Sequence, residues 1–165
     1  MLNIVLTRID DRLIHGQVMT AWVKYTQANR IVIVDDGVAQ DPFMEKVIKM
    51  AAPPGIKVEV YDVKKALEVL KEEEQHSDKT IILVKHPKTV YFLIEGGVEI
   101  RELNVGGMGA GPGRKPLYKN ISASSEEREI FKKIIDLGVY IFLQIIPDDK
   151  EVDLKKYLVL EVYKK

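Results

Sequence analysis

Cysteine is absent from this chain of 165 residues, which excludes disulfides, thiolate metal sites and a cysteine nucleophile. The three histidines lie far apart and do not have the spacing of metal ligands. An excess of basic charge is also lacking, because 25 Lys and Arg residues balance 25 Asp and Glu residues. Nucleic-acid-binding domains usually carry such an excess. We therefore expect no metal, no other cofactor and no nucleic-acid partner.

Long hydrophobic runs are absent too. The longest, such as Ile31–Val34 and Ile141–Leu143, are too short to cross a bilayer, and the first residues do not resemble a signal peptide. Hydrophobic residues nevertheless make up 46% of the chain, which is enough to form a folded core. We expect a soluble, cytoplasmic protein with one domain spanning residues 1–165.

Short runs rich in β-branched residues alternate with helical patterns along the chain. Six of these runs predict buried strands: Asn3–Leu6, Arg30–Val34, Lys57–Tyr61, Thr80–Val84, Glu99–Val105 and Val139–Ile146. Single helices between strands are typical of repeated βαβ units. The pattern therefore predicts an α/β fold, an open twisted and mostly parallel sheet with helices on both faces, in three layers.

Local signals place the helices between these strands. The first helix is predicted from an inward-facing apolar stripe formed by Val18, Ala21, Trp22 and Tyr25. The other helices are predicted from caps or prolines: Asp41 and Pro42 begin a second helix that ends at Met50, Asp62 caps a third, and Pro87–Glu95 form a fourth. Ser124 and Glu127 make a capping box at the start of a fifth. From Asp153 onward, a surface helix or an ordered tail is expected.

The segment Gly106–Lys119 interrupts this alternation. It holds five of the eleven glycines and two prolines, but it does not contain the Gly-Lys-Ser/Thr sequence of a phosphate-binding P-loop. We predict a long loop that is mobile in the isolated protein and that could present Arg114 and Lys115 to a partner.

The segment Thr7–Gln17 carries the strongest chemical signal. Ligands of open α/β sheets bind at the carboxyl ends of strands, and this segment lies between the first predicted strand and the first helix. A helix N-terminus favours an anion such as phosphate, and Gly16 allows close approach of the backbone. His15 is a plausible nucleophile, and one of the two arginines in the segment could hold phosphoryl oxygens with two donors. These residues suggest a histidine that carries a phosphoryl group.

Purely structural roles remain open for the same residues. His15 could be a helix-start histidine bonded to backbone, Asp10 and Asp11 could be turn or capping carboxylates, and Arg12 could be a solvated charge or part of an ion pair.

The other two histidines have weaker functional signals. His76 lies in a polar helix end and is expected to be a solvated surface residue. His86 follows the fourth predicted strand, so it could line the same cleft as His15 or be a simple loop residue.

The run Arg8–Val18 (RIDDRLIHGQV) closely resembles the active-site signature of IIB components in the mannose–fructose–sorbose class of bacterial sugar phosphotransferase systems. The resemblance continues through Ala52–Gly55, Glu95–Val98 and Asn104–Met108 and covers essentially the whole chain. The fold of that family is an open, mostly parallel sheet with helices on both faces, in agreement with the pattern described above.

The resemblance implies a specific reaction. The histidine matching His15 receives phosphate on Nδ1 from a phosphohistidine of the IIA component and passes it to a sugar that enters through the membrane components IIC and IID. It also implies catalytic roles for His15, Arg12 and Asp10, and phosphate binding by Arg12, Gly16 and Gln17. The variant segment Gly109–Lys115 resembles proteins for amino sugars such as N-acetylgalactosamine, although mannose, fructose and sorbose remain open.

A signalling module is the competing interpretation. Asp10 and Asp11 after the first strand, with Asp62 after the third, imitate a receiver domain that is phosphorylated on aspartate. Asp62 is equally explained as a helix cap, and the fifth predicted strand does not end in the lysine that a receiver site requires.

Overall fold

A computed structural model describes residues 3–72 and 78–162. In these residues the strands are β1 (Asn3–Asp10), β2 (Arg30–Val34), β3 (Lys57–Tyr61), β4 (Lys79–Val84), β5 (Glu102–Gly107), β6 (Arg114–Tyr118), β7 (Ile121–Ser124), β8 (Tyr140–Leu143) and β9 (Val152–Asp153). The helices are α1 (Gly16–Thr26), α2 (Asp36–Ala39), α3 (Pro42–Met50), α4 (Val63–Glu72), α5 (Pro87–Glu95), α6 (Ser125–Asp136) and α7 (Leu154–Val162).

Seven of the strands form one sheet in the order β3-β2-β4-β1-β5-β8-β9. Every neighbouring pair is parallel except β8 and β9, and β6 pairs with β7 in a separate antiparallel hairpin. Two hydrophobic clusters cover the two faces of the sheet, one with α1 and α3 and the other with α4, α5, α6 and α7. The predicted three-layer α/β fold is confirmed.

The capping signals are confirmed at the atomic level. An Asp41 side-chain oxygen accepts a hydrogen bond from the Met44 backbone N–H at 3.2 Å, and α3 ends at Met50 as predicted. Ser124 and Glu127 form the complete capping box of α6, with bonds of 3.0 and 2.9 Å. These bonds satisfy N–H groups that a helix start otherwise leaves without partners.

The first strand is longer than predicted, because it continues through Thr7, Arg8 and Ile9 to Asp10. Segment 7–17 is therefore a loop only after Asp10. This part of the strand was not predicted because it contains charged residues. They are accommodated because β1 lies in the middle of the sheet, between β4 and β5, where the side chains of Arg8 and Asp10 form a buried ion pair.

The prediction of one long loop at Gly106–Lys119 is wrong. Its first two residues end β5, and its last part forms β6, which pairs with β7. Residues 108–113 connect the two strands. The glycines at positions 106 and 107 mark close packing in a strand, because a side chain there would overlap Arg8 or Asp10.

Smaller corrections concern the helix faces and strand ends. Tyr25 is 70% exposed rather than inward-facing, and Met19 is buried with Trp22 instead. The segment after Asp153 is not only a surface helix, since Leu154 and Leu158 of α7 are buried in the core. The predicted strands at 99–105 and 139–146 are shifted or shortened to Glu102–Gly107 and Tyr140–Leu143, and α2 and β9 had no recognised signal.

Among residues 3–72 and 78–162, no helix is long and apolar enough to cross a membrane. His76 lies outside the described residues.

Candidate active site

His15 lies at the carboxyl edge of the sheet, where the chain leaves β1 and begins α1. The turn between them is fixed by a backbone hydrogen bond of 3.0 Å from Leu13 N to the Asp10 carbonyl oxygen, and by Leu13 and Ile14, which are buried against α1. Gly16 has a φ of +42°, a left-handed conformation that glycine adopts at low cost. The loop is therefore anchored to the core on both sides of the histidine.

The His15 ring is oriented by Asp10. Its Nε2 lies 3.0 Å from Asp10 Oδ2, and the histidine side chain is 23% exposed whereas that of Asp10 is 1% exposed. An ionised carboxylate only accepts hydrogen bonds, so this contact places the ring hydrogen on Nε2. Among the described residues Nδ1 has no hydrogen-bond partner, which leaves its lone pair available to a ligand.

Asp10 is held by two other groups as well. Its Oδ2 accepts a hydrogen bond of 3.1 Å from Arg8 Nη2, and its Oδ1 accepts one of 3.0 Å from the backbone N–H of Arg12. Burial lowers the pKa of Arg8, and the charge of Asp10 opposes that decrease. The carboxylate therefore has a fixed position behind His15.

The predicted phosphate-binding residues Arg12, Gly16 and Gln17 lie close to His15 along the chain, and all three are exposed. The Arg12 side chain is 64% exposed, and its Nε lies 3.8 Å from Asp10 Oδ1, so its guanidinium can turn to an incoming group. Gly16 and Gln17, also exposed, form the first turn of α1, which has no side-chain cap and no acidic residue. The N–H groups of that turn can therefore bind an anion.

Asp11 points away from the histidine and connects the loop to the β6–β7 hairpin. Its Oδ2 accepts hydrogen bonds from Gly109 N at 2.6 Å and from Arg114 Nη1 at 3.0 Å. Arg114 also donates twice to Glu127, each time at 3.0 Å. Burial works against both charges, but these bonds outweigh it, raising the pKa of Arg114 and lowering that of Glu127. Arg114 is therefore engaged within the chain rather than presented freely to a partner.

The remaining candidates lie outside this cluster. His86 lines a cleft of about 700 Å³ at the same edge of the sheet, together with Lys88 and Arg114, but His15 does not line this cleft. Asp62 caps α4 by accepting a hydrogen bond of 2.7 Å from Lys65 N. In the described part of the chain, no group of three His, Cys, Asp or Glu side chains could hold a metal ion.

The sequence assigned no role to four residues that hold Asp10 or its partner Arg8 in place. Arg8 donates to Asp10 and to Asn104, and the glycines at positions 106 and 107 leave room for the Arg8 and Asp10 side chains. A signal for them was present. Arg8 is a charge within a strand, and the two glycines end the strand beside it.

The fold and this arrangement define a class: a parallel α/β protein in which a buried carboxylate orients a histidine at the carboxyl edge of the sheet. A solved structure with the same fold is the IIBSor domain of the sorbose permease from Klebsiella pneumoniae. It matches with a TM-score of 0.92 and 36% identity, covering 96% of this chain and 98% of that chain.

Residues 4–165 match the family model described as the PTS system sorbose subfamily IIB component. The sorbose-specific EIIB component of Lacticaseibacillus casei is 38% identical over 151 residues, 92% of either chain. The mannose-specific EIIAB component of Escherichia coli (strain K12) is 37% identical over 147 residues, 89% of this chain and 46% of that protein. The chain therefore belongs to the sorbose-subfamily IIB components of sugar phosphotransferase systems, and a receiver-like module is not favoured.

Proposed function

We propose that this chain is a phosphocarrier that accepts a phosphoryl group from a phosphohistidine of IIA onto His15 and passes it to a sugar imported through IIC and IID. The observation that carries the proposal is the contact of 3.0 Å between His15 Nε2 and buried Asp10, which leaves Nδ1 as the free nucleophile. Family membership supports the reaction class, a sugar phosphotransferase component. Residues 1–165 would act as one domain.

The reaction consists of two transfers. In the first, the Nδ1 lone pair of His15 attacks the phosphorus, a new N–P bond forms, and the donor's N–P bond breaks with its electron pair returning to the donor ring. Positive charge then develops on the His15 ring, and Asp10 stabilises it through Nε2–H. Arg12 and the first N–H groups of α1, at Gly16 and Gln17, bind the phosphoryl oxygens.

In the second transfer a sugar hydroxyl oxygen attacks the phosphorus. The N–P bond to His15 breaks, its electron pair returns to Nδ1, and the hydroxyl proton passes to a base in the acceptor's own site. The ring is then again neutral, with its hydrogen on Nε2.

The proposed partners follow from these two steps. The mannose-specific relative is named as an EIIAB component, which supports IIA as the donor. IIC and IID would present the sugar, so the protein would work at the cytoplasmic face of the membrane. The proposal names no sugar, because relatives named for sorbose and for mannose are 38% and 37% identical to this chain.

The direct test uses labelled phosphate. The full chain is incubated with phosphorylated IIA, and the labelled residue is mapped in the wild type, in His15→Ala and in His86→Ala as a control. We expect base-stable, acid-labile label on His15, its loss in His15→Ala and its retention in His86→Ala. Base-labile label on Asp10 or Asp62 would contradict the proposal, provided that circular dichroism shows each variant to be folded.

A further inference from the structure

Arg8 is a fully buried cation directly behind the candidate active site. Its side chain is 0% exposed, and its Cζ lies 5.4 Å from the centroid of the Trp22 ring. Nη1 donates hydrogen bonds to Asn104 Oδ1 at 2.5 Å and to the Gln144 carbonyl oxygen at 3.1 Å, while Nη2 donates to Asp10. The guanidinium of Arg8, in β1, is thus bound to β5 and to the residue that directly follows β8.

The backbone of β5 is shaped to accommodate this group. A Cβ atom at position 106 would lie 2.0 Å from Arg8 Cζ, and one at position 107 would lie 2.5 Å from Asp10 Oδ1. Both distances are far below a van der Waals contact, so only glycine allows the Arg8–Asp10 pair to occupy its place. The pair is a built feature of the sheet rather than a chance contact.

The protonation of the His15 ring is linked to the charges around Asp10. A buried carboxylate needs a compensating charge, and the groups near Asp10 that can supply one are Arg8, Arg12 and His15. Arg12 is exposed, and its Nε is 3.8 Å away, so water screens it. Asp11 is turned toward Arg114. Arg8 is therefore the group that neutralises Asp10 without a proton from His15.

We propose that Arg8 is a positioning residue for phosphoryl transfer: its guanidinium neutralises Asp10 and thereby keeps His15 in the neutral tautomer that has its hydrogen on Nε2 and its lone pair on Nδ1. The consequence for transfer rests on the function proposed above, but the state of the ring can be measured without it.

Loss of Arg8 leaves two ways to compensate Asp10, and both block Nδ1. If Asp10 stays ionised, His15 takes up a second proton and carries hydrogens on both nitrogens. If Asp10 takes up the proton, its hydroxyl donates to Nε2, and the ring hydrogen moves to Nδ1. In either case the lone pair that attacks phosphorus is lost.

The test is nitrogen NMR of the full chain with 15N-labelled histidine at pH 7.5. In the wild type we expect the His15 signals of a neutral ring protonated on Nε2. In Arg8→Gln we expect a ring protonated on Nδ1, together with transfer from phosphorylated IIA slowed on the order of a hundredfold or more, as for a histidine in the wrong tautomer. Arg8→Lys keeps the charge and should largely restore the wild-type ring signals.

Two further variants separate this role from general destabilisation. Arg30→Gln removes another buried arginine, which pairs with Glu59 on the β2–β3 side of the sheet, and it should leave the His15 signals unchanged. Gly106→Ala retains Arg8 but displaces its guanidinium, so it should shift the ring partly toward protonation on Nδ1.

A ring that remains protonated only on Nε2 in Arg8→Gln, or in Gly106→Ala if the former does not fold, overturns the inference and leaves the proposed function intact. A shifted ring in a chain whose His15 never takes up label does the opposite: the inference about the ring holds, and the proposed function fails.

Discussion

At the residue scale, one carboxylate, that of Asp10, connects the groups of the candidate site through hydrogen bonds. Asp10 accepts hydrogen bonds from Arg8, His15 and the Arg12 backbone, and its side chain is 1% exposed. Each contact constrains a different group: the buried cation, the nucleophile and the turn that presents the Arg12 side chain. A substitution at any one of these residues therefore alters the hydrogen bonds that Asp10 makes to the others.

Arg12→Lys tests the need for a planar group at the phosphoryl site. Lysine keeps the charge but cannot bind two phosphoryl oxygens with a rigid fork, so we expect transfer from phosphorylated IIA to slow by roughly ten- to a thousandfold. Unfolding by urea should be nearly unchanged, because the Arg12 side chain is 64% exposed. Rapid-quench measurement of label on His15 gives the rate.

The matched control is Arg101→Lys. Arg101 is also exposed, but it precedes β5 and so lies at the amino edge of the sheet, where it pairs with Glu99. Its replacement should not change the transfer rate. Equal rates for wild type and Arg12→Lys would remove the Arg12 guanidinium from the mechanism.

The sequence made His15 the candidate, because a strand followed by a loop and a helix start defines where an anion can bind, and the resemblance to the family added Arg12 as a prediction. It did not reveal the contacts of Arg8, since these depend on Asn104 and Gln144, which are distant along the chain. Whether a charged residue near a strand end is solvated or buried depends on which strands become its neighbours, and that is a property of the sheet order.

At the element scale, the β6–β7 hairpin and α6 form the support beside the active-site loop. Arg114 at the start of β6 binds both Asp11 in the loop and Glu127 in the first turn of α6. Glu127 also completes the capping box with Ser124. Glu127 therefore both caps the start of α6 and binds the hairpin through Arg114.

Ser124→Ala tests the strength of this helix start. The variant removes the side-chain oxygen that accepts from Glu127 N at 3.0 Å, so we expect a loss of about 1 kcal/mol in the free energy of unfolding, measured with urea. Ser125→Ala, at the exposed first residue of α6, is the control and should have a much smaller effect. An equal loss in the two variants would show that the capping bond is not the cause.

Most of the helices, although not α2, and the strand β2 were predictable because their signals are local. Asp41 followed by Pro42 begins α3, and the buried run at β2 has its predicted bounds, Arg30–Val34. The hairpin was not predictable in this way. Its first strand contains Pro116 and two charged residues, Arg114 and Lys115. The hairpin is held to α6 by Arg114, which binds Glu127, and by Arg128, which binds backbone oxygens of both hairpin strands.

At the scale of the whole molecule, the parallel order brings separate chain segments to one edge. β4, β1 and β5 are neighbours in the middle of the sheet, so the segments that follow them, with His86, His15 and Gly109, all emerge at the carboxyl edge. β2 and β3 form one end of the strand order, separated from β1 by β4, and they carry the charge pair between Arg30 and Glu59.

The global stability in acid should depend on this pair. Burial opposes the charge of Glu59, but hydrogen bonds from Arg30, Lys57 and Tyr61 outweigh it and lower the pKa of Glu59 from 4.5 to about 2. The unfolded chain thus binds a proton at a pH where the folded chain does not. The resulting stabilisation is complete above pH 4.5 and is lost as the pH falls toward 2.

Glu59→Gln should therefore be less stable than the wild type at neutral pH, and the difference should shrink as the pH falls from 4.5 to 2, as followed by urea unfolding at several pH values. Glu45→Gln is the control, because Glu45 pairs with Lys49 at 3.0 Å within one exposed helix, where an ion pair contributes about 0.3–0.5 kcal/mol. A stability difference between wild type and Glu59→Gln that stays constant over this pH range would mean that the carboxylate is not what holds β2 and β3 together in acid.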